Sequence, residues 1–131
     1  PAPFSIECAP RSGGPKPSAL DLSDLTLSLK SLLWQKVGLE RSGPELALAL
    51  KQIQSWVPYV LGSDFFEVPS WTVQNMVLTA YVLTLSALRR EESRGVHYRS
   101  DFPRRDDAHW RRHQTLTHED LLSPAPAPPS H

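Results

Sequence analysis

The chain of 131 residues sets 14 Lys and Arg against 14 Asp and Glu, and 40% of its residues are hydrophobic, enough for one domain with a modest core. A formal net charge of zero gives no global attraction to nucleic acid or to an anionic membrane. Cys8, the single cysteine, excludes an intrachain disulfide framework and a CxxC pair, and it fits a reducing, cytoplasmic setting.

Residues 1–19 hold five prolines and two glycines around Cys8 and Arg11, which reads as an irregular linker or arm. Pro1 opens the chain and Met76 is the only methionine, as expected of a fragment or a trimmed product. The folded domain is expected over residues 20–118. Asp21 is placed to cap a first helix near 23–37, because its carboxylate can accept from the backbone at Ser23 or Asp24. Leu22, Leu25, Leu29, Leu32 and Leu33 repeat there at helical spacing, and Gly38 offers a left-handed stop.

A second helix is expected to start at Ser42-Gly43-Pro44 and run to about 57. Leu46, Leu50, Ile53 and Val57 share one face, and Pro58 ends or kinks the helix near Trp56. Ser70 then caps a third helix over about 70–91, apolar nearly all round and so expected to be covered on more than one side. Its stretch Trp71–Leu88 is too interrupted by Thr72, Gln74, Asn75, Thr79, Thr84 and Ser86 for a membrane span. The expected fold is all-α: an antiparallel three-helix bundle with an Arg-rich irregular C-terminal extension. The extension is expected to hold one helical turn at Asp106–His113 and a brief extended return at Thr115–Thr117. Residues 119–131, with four prolines among the last nine, read as a disordered tail.

The extension carries the chemistry-bearing residues. Between Arg89 and Arg112 lie eight arginines and no lysine, interleaved with five carboxylates. Guanidinium forks beside carboxylates suit bidentate pairing and docking. Tyr98, Phe102 and Trp110 supply stacking surfaces, yet Glu91, Glu92, Asp101, Asp106 and Asp107 neutralise the strip too far for a nucleic-acid face. His109 and His113 stand at the spacing of a paired-His metal site. No glutamate follows His109, and Arg111 and Arg112 would repel a cation, so no metal ligand is assigned. Ser93 lies in no nucleophile elbow, and Ser93 and His97 are read as satisfying backbone groups around a turn at Gly95. No Gly-x-Gly-x-x-Gly or Walker-type loop occurs. No catalytic, cofactor-binding or metal residue is therefore assigned within this chain.

The run Arg90-x-Glu92-Ser93-Arg94-Gly95-x-His97-x-Arg99-x-Asp101-x-Pro103, with Asn75 and Ala87 before it and Asp107 and Trp110 after it, resembles a known pattern. It is similar to the C-terminal helical domain of the succinate dehydrogenase and fumarate reductase flavoprotein family. Leu33-Trp34-x-x-Val37-Gly38-Leu39-x-Arg41 resembles that domain's first helix and its exit. Tyr98, where respiratory members tend to carry a small residue, makes the strip look closer to the L-aspartate oxidase branch. The resemblance implies a parent protein that uses FAD to oxidise L-aspartate to iminoaspartate in NAD biosynthesis. It further implies a partner, the flavin-binding domain of that parent, and no activity or FAD binding for this chain alone. Arg90, Glu92, Arg94, Gly95, His97, Arg99 and Asp101 are the domain-interface candidates that follow, with Arg94 and Arg99 making charge-assisted contacts. The competing expectations are the same domain of a succinate dehydrogenase or fumarate reductase flavoprotein, and a free-standing helical protein-interaction module.

Overall fold

A computed structural model describes residues 22–61, 68–117 and 120. The Asp21 cap, the Pro-rich first segment and residues 121–131 of the tail lie outside the described residues. Elements run α1 (Leu22–Lys36), β1 (Glu40–Arg41), α2 (Gly43–Leu61), α3 (Val68–Arg89), β2 (Tyr98–Arg99) and α4 (Asp107–Trp110). Three long helices make the bundle that the periodicities predict.

The core follows from those periodicities. Leu25 and Leu29 of α1, Leu46, Ala49, Leu50, Ile53 and Val60 of α2, and Val73, Val77, Ala80, Tyr81, Leu85 and Leu88 of α3 are all buried. Each set repeats at three- and four-residue steps, so one stripe per helix faces inward. Gln54 Nε2 donates to Tyr81 Oη at 3.2 Å and Gln74 Nε2 to the Val60 carbonyl at 2.9 Å, pairing the end of α2 with the start of α3. These pairings fix α2 and α3 as antiparallel. Thr84 is buried inside this apolar seam, and its hydroxyl bonds back to the Ala80 carbonyl at 2.7 Å.

Several local expectations give way. α2 does not end near Trp56 but continues through Pro58 to Leu61. Proline forfeits one rung of the ladder, yet its ring holds a helical φ, and Val60 is 1% exposed beyond it. Burial there outweighs the missing bond. α3 starts at Val68, with Pro69 in the first turn where a missing N–H has no helical partner to lose. Gly38 is not left-handed; Gly95, at φ 59°, is the positive-φ residue among those described. Gly38 is needed for clearance instead, because a Cβ there would sit 2.6 Å from the Trp34 carbonyl oxygen. The second apolar side of α3 is only partly covered, since Leu78 and Leu83 remain exposed.

Thr115–Thr117 forms no strand. The extended pairing occurs elsewhere: β1 and β2 lie parallel, Glu40 opposite Tyr98 and Arg41 opposite Arg99. This ladder draws the extension back over the end of the bundle where α1 and α3 finish and α2 begins.

Candidate functional site

The final carbonyls of a helix and the first amides of the next have no partners within their own helices. At this end of the bundle three such termini meet; the extension closes two of them and Arg41 of β1, held by His97 of the extension, closes the third. Arg99, 2% exposed, sends Nη1 to the carbonyls of Ala87 and Leu88, both at 2.9 Å, and to that of Arg90 at 3.2 Å. Its Nε and Nη2 reach Asp101 Oδ1 and Oδ2 at 2.8 and 2.6 Å, a bidentate pair. Asp101 Oδ2 in turn accepts from the Gly43 amide at 2.9 Å, the first residue of α2. A cation thus sits at the negative end of α3 and its carboxylate partner at the positive end of α2. The Arg99 hydrogen bonds hold the Asp101 carboxyl below its ordinary range, against burial, and the Gly43 amide adds to them. Gly43 is glycine for room: a Cβ there would lie 2.8 Å from Asp101 Oδ2 and 3.1 Å from Arg99 Nη2.

Arg41 closes the third terminus. Its Nε donates to the Val37 carbonyl at 3.0 Å, just past α1, and its Nη1 lies 2.8 Å from His97 Nδ1. A guanidinium can only donate, so His97 Nδ1 accepts and its proton resides on Nε2, 3.3 Å from the Arg90 carbonyl. Burial pushes the His97 pKa below its ordinary value; the hydrogen bond to Arg90 opposes this, and nearby Arg41, Arg99 and Arg90 reinforce it. His97 is a neutral strut between two elements.

Glu92 is the second hub. Its side chain is fully buried and receives Arg90 Nε at 3.0 Å, Arg94 Nε at 2.8 Å, Arg94 Nη2 at 3.1 Å and the Asp106 amide at 2.9 Å. These donors, Arg94 foremost, hold the carboxyl down at about 2 in spite of its desolvation. Arg94 also bonds Asp107 Oδ1 at 2.6 Å, and its own pKa is raised by Glu92 first and Asp107 second. Ser93 Oγ accepts from the Arg99 amide at 2.9 Å and donates to the carbonyl of Phe102 at 2.8 Å. Arg94 and His97 exchange backbone bonds of 2.8 and 3.0 Å around Gly95, whose φ of 59° suits glycine and whose Cβ position is open. No buried side-chain nitrogen or oxygen among the described residues lacks a partner.

All seven interface candidates therefore converge on this cap, but they differ in what they offer a neighbour. Glu92 and Arg99 are consumed inside the chain, and the charge-assisted contacts of Arg94 are to Glu92 and Asp107 of the same chain. Ser93 and His97 satisfy backbone groups around the turn, as expected from sequence. Sequence alone does not give the roles of Arg41, Gly43 and Asp106; an arginine five residues past the end of α1 is the available signal for the first. α4 is shorter than the expected Asp106–His113 turn: Asp106 caps it, accepting from the Ala108 and His109 amides, and it ends at Trp110. His113 thus lies beyond the helix carrying His109, whose Nδ1 is 2.8 Å from Asp106 Oδ2.

This architecture defines a small helical domain whose chemistry is spent on sealing helix termini. Residues 67–124 match the family model described as fumarate reductase flavoprotein C-term, a span that includes nearly the whole cap. The chain is 34% identical over 113 residues to a fumarate reductase flavoprotein subunit of Mycobacterium tuberculosis, covering 76% of this chain and 18% of that protein. It is 50% identical over 46 residues to an L-aspartate oxidase of Streptomyces coelicolor, covering 35% of this chain and 8% of that protein. A third match, to a fumarate reductase flavoprotein subunit of Helicobacter pylori, is 32% identical over 99 residues, or 69% of this chain and 14% of that protein. No solved structure matches. The chain belongs to the succinate dehydrogenase and fumarate reductase flavoprotein family and carries its C-terminal helical domain. It spans less than a fifth of the length of these relatives.

Flavin implied by the family finds no fitting receptor among the described residues. A dinucleotide needs aligned amides at a glycine-rich helix start following a strand. The glycine-bearing helix start here is that of α2, and the Asp101 carboxylate already takes its Gly43 amide.

Proposed function

We propose that this chain is the C-terminal helical domain of an FAD-dependent L-aspartate oxidase, packing against the flavin-binding part of the parent and not catalytic alone. In the parent, L-aspartate is oxidised to iminoaspartate for NAD biosynthesis, in the cytoplasm. The observation that carries the docking role is the contrast at the cap. Its charged groups are satisfied internally, whereas Trp34, Leu39 and Val96, 81%, 84% and 90% exposed, and Tyr98 surround it uncovered. A turn made rigid by ion pairs yet edged with exposed apolar side chains is suited to burial against a larger body. Tyr98 and the short, high-identity match to the Streptomyces coelicolor L-aspartate oxidase support the substrate assignment.

A second reading, the same domain of a succinate dehydrogenase or fumarate reductase flavoprotein, is favoured by the longer match to the Mycobacterium tuberculosis protein. The test is the full-length product of the coding region. It should purify with FAD and reduce a dye with L-aspartate as donor. Turnover of succinate or fumarate instead would select the second reading. A cellular product no longer than this chain, seen by immunoblot, would leave a free-standing interaction module.

A further inference from the structure

Beside the cap lies a cleft lined by Arg90, Arg94, Trp110, Arg111, Arg112 and His113. Trp110 is half-buried, with the Arg90 guanidinium 5.6 Å and that of Arg112 5.9 Å from its ring centre. Arg90 and Arg94 are neutralised from the buried side by Glu92, and Arg94 further by Asp107. Arg111 and Arg112 have no carboxylate partner among the described residues, and both are exposed. Among the described residues, no acidic side chain lines the cleft. In a chain of zero net charge, this is a local positive excess gathered around an indole. Arginine and tryptophan in one concavity are the residue types that dominate binding hot spots.

The chemistry that completes the cleft is a carboxylate. Guanidinium forks bind it bidentately, and the indole face accepts the aliphatic stem that carries it. A continuous phosphate backbone is disfavoured by the carboxylates bordering the cleft: Asp107 beside Arg94, and the exposed Glu91 next to Arg90. Since the matched span covers less than a fifth of each of these relatives, most of a parent of that kind lies outside the chain. We propose that the cleft is the docking point for an acidic segment of the flavin-binding part of that parent. The assignment rests on the chain being part of a larger flavoprotein, and it adds the chemistry of the contact.

The experiment uses a fluorescein-labelled hexaglutamate peptide, followed by fluorescence polarisation at low ionic strength. The chain should bind it saturably, and added salt should weaken binding, because exposed charges are screened beyond about 8–10 Å at ordinary ionic strength. Arg111→Gln with Arg112→Gln should weaken it by about tenfold or more, as expected for the loss of two charge-assisted contacts. Both side chains are exposed, so the thermal melt of the double variant should match that of the parent sequence. Arg105→Gln, outside the cleft, should bind as before. Absence of saturable binding, equal binding by the double variant, or tighter binding of a single-stranded oligothymidylate would overturn the proposal. The full-length flavoprotein should not bind the peptide, its cleft being filled; binding by both would overturn the assignment to the parent's own segment. These outcomes are separate from the parent's identity, which is judged on flavin content and turnover of the full-length product.

Discussion

Replacing Arg99 by Met keeps an unbranched apolar stem and removes the guanidinium that joins α3 to α2. Five hydrogen bonds vanish: three to the carbonyls of Ala87, Leu88 and Arg90, and two to Asp101. Removing one member of a buried ion pair costs about 3–5 kcal/mol, since the groups left behind stay desolvated. Asp101 is 31% exposed at its side chain and recovers some hydration, which places the loss near the lower end, about 3 kcal/mol. Against a total of about 5–15 kcal/mol that is a large share. For a domain of this size it corresponds to a fall in melting temperature of roughly 12–24 °C. Urea unfolding followed by far-UV circular dichroism measures it directly. Arg99→Lys should recover only part of the loss, because a point charge cannot meet three carbonyls and both carboxylate oxygens together. A loss below about 1 kcal/mol, the range of exposed pairs, would refute the claim that Arg99 holds the two termini.

Acid should destabilise the chain in two stages. His97, its pKa lowered in the fold, gains its proton on unfolding, so its contribution is complete above about pH 6.5 and shrinks below it. Glu92, held at about 2, and Asp101, also lowered, contribute fully above their unfolded values of about 4 and lose that contribution as pH falls toward 2. Urea midpoints should therefore decline gently below about pH 6.5 and steeply below about pH 4.5, with His97→Gln abolishing the first stage; a flat profile between about pH 5 and 3 would contradict the buried-carboxylate account. Gly95→Ala should lower stability by about 1–2 kcal/mol through its left-handed backbone alone, with Asn better tolerated, as read from the same unfolding curves. Titration of the chain with FAD should give no saturable change in flavin fluorescence; micromolar affinity would show that the chain holds a flavin site of its own.

The three helices are legible because leucine, valine and isoleucine recur at helical steps over fifteen to twenty-two residues, a signal that survives local exceptions. Pro58 was such an exception. Its local cost is visible in sequence, whereas the burial of Val60 that outweighs it depends on α3. The cap was legible as a concentration of arginine and carboxylate, and Gly95 as its turn. Its inner geometry was not. Arg41 meets His97 across 56 residues and Gly43 meets Asp101 across 58, separations over which no periodicity carries information. A two-residue ladder is likewise too short to alternate. Glu92 was hardest to place, because a glutamate among arginines resembles a solvated charge until the backbone folds over it.

The residues that close the start of α2 and the end of α3 are made after the helices they serve. During synthesis the leucine-rich hairpin of α2 and α3 can assemble from contacts close in sequence, and such contacts form early. Arg99 and Asp101 emerge only afterwards, so until then the same helices stand with open ends. A chain terminated just after Arg89 would possess the buried apolar core and, apart from the Arg41 bond to the Val37 carbonyl, none of its closure. We expect that product to be helical by circular dichroism yet rapidly cut by protease, a difference between being collapsed and being locked.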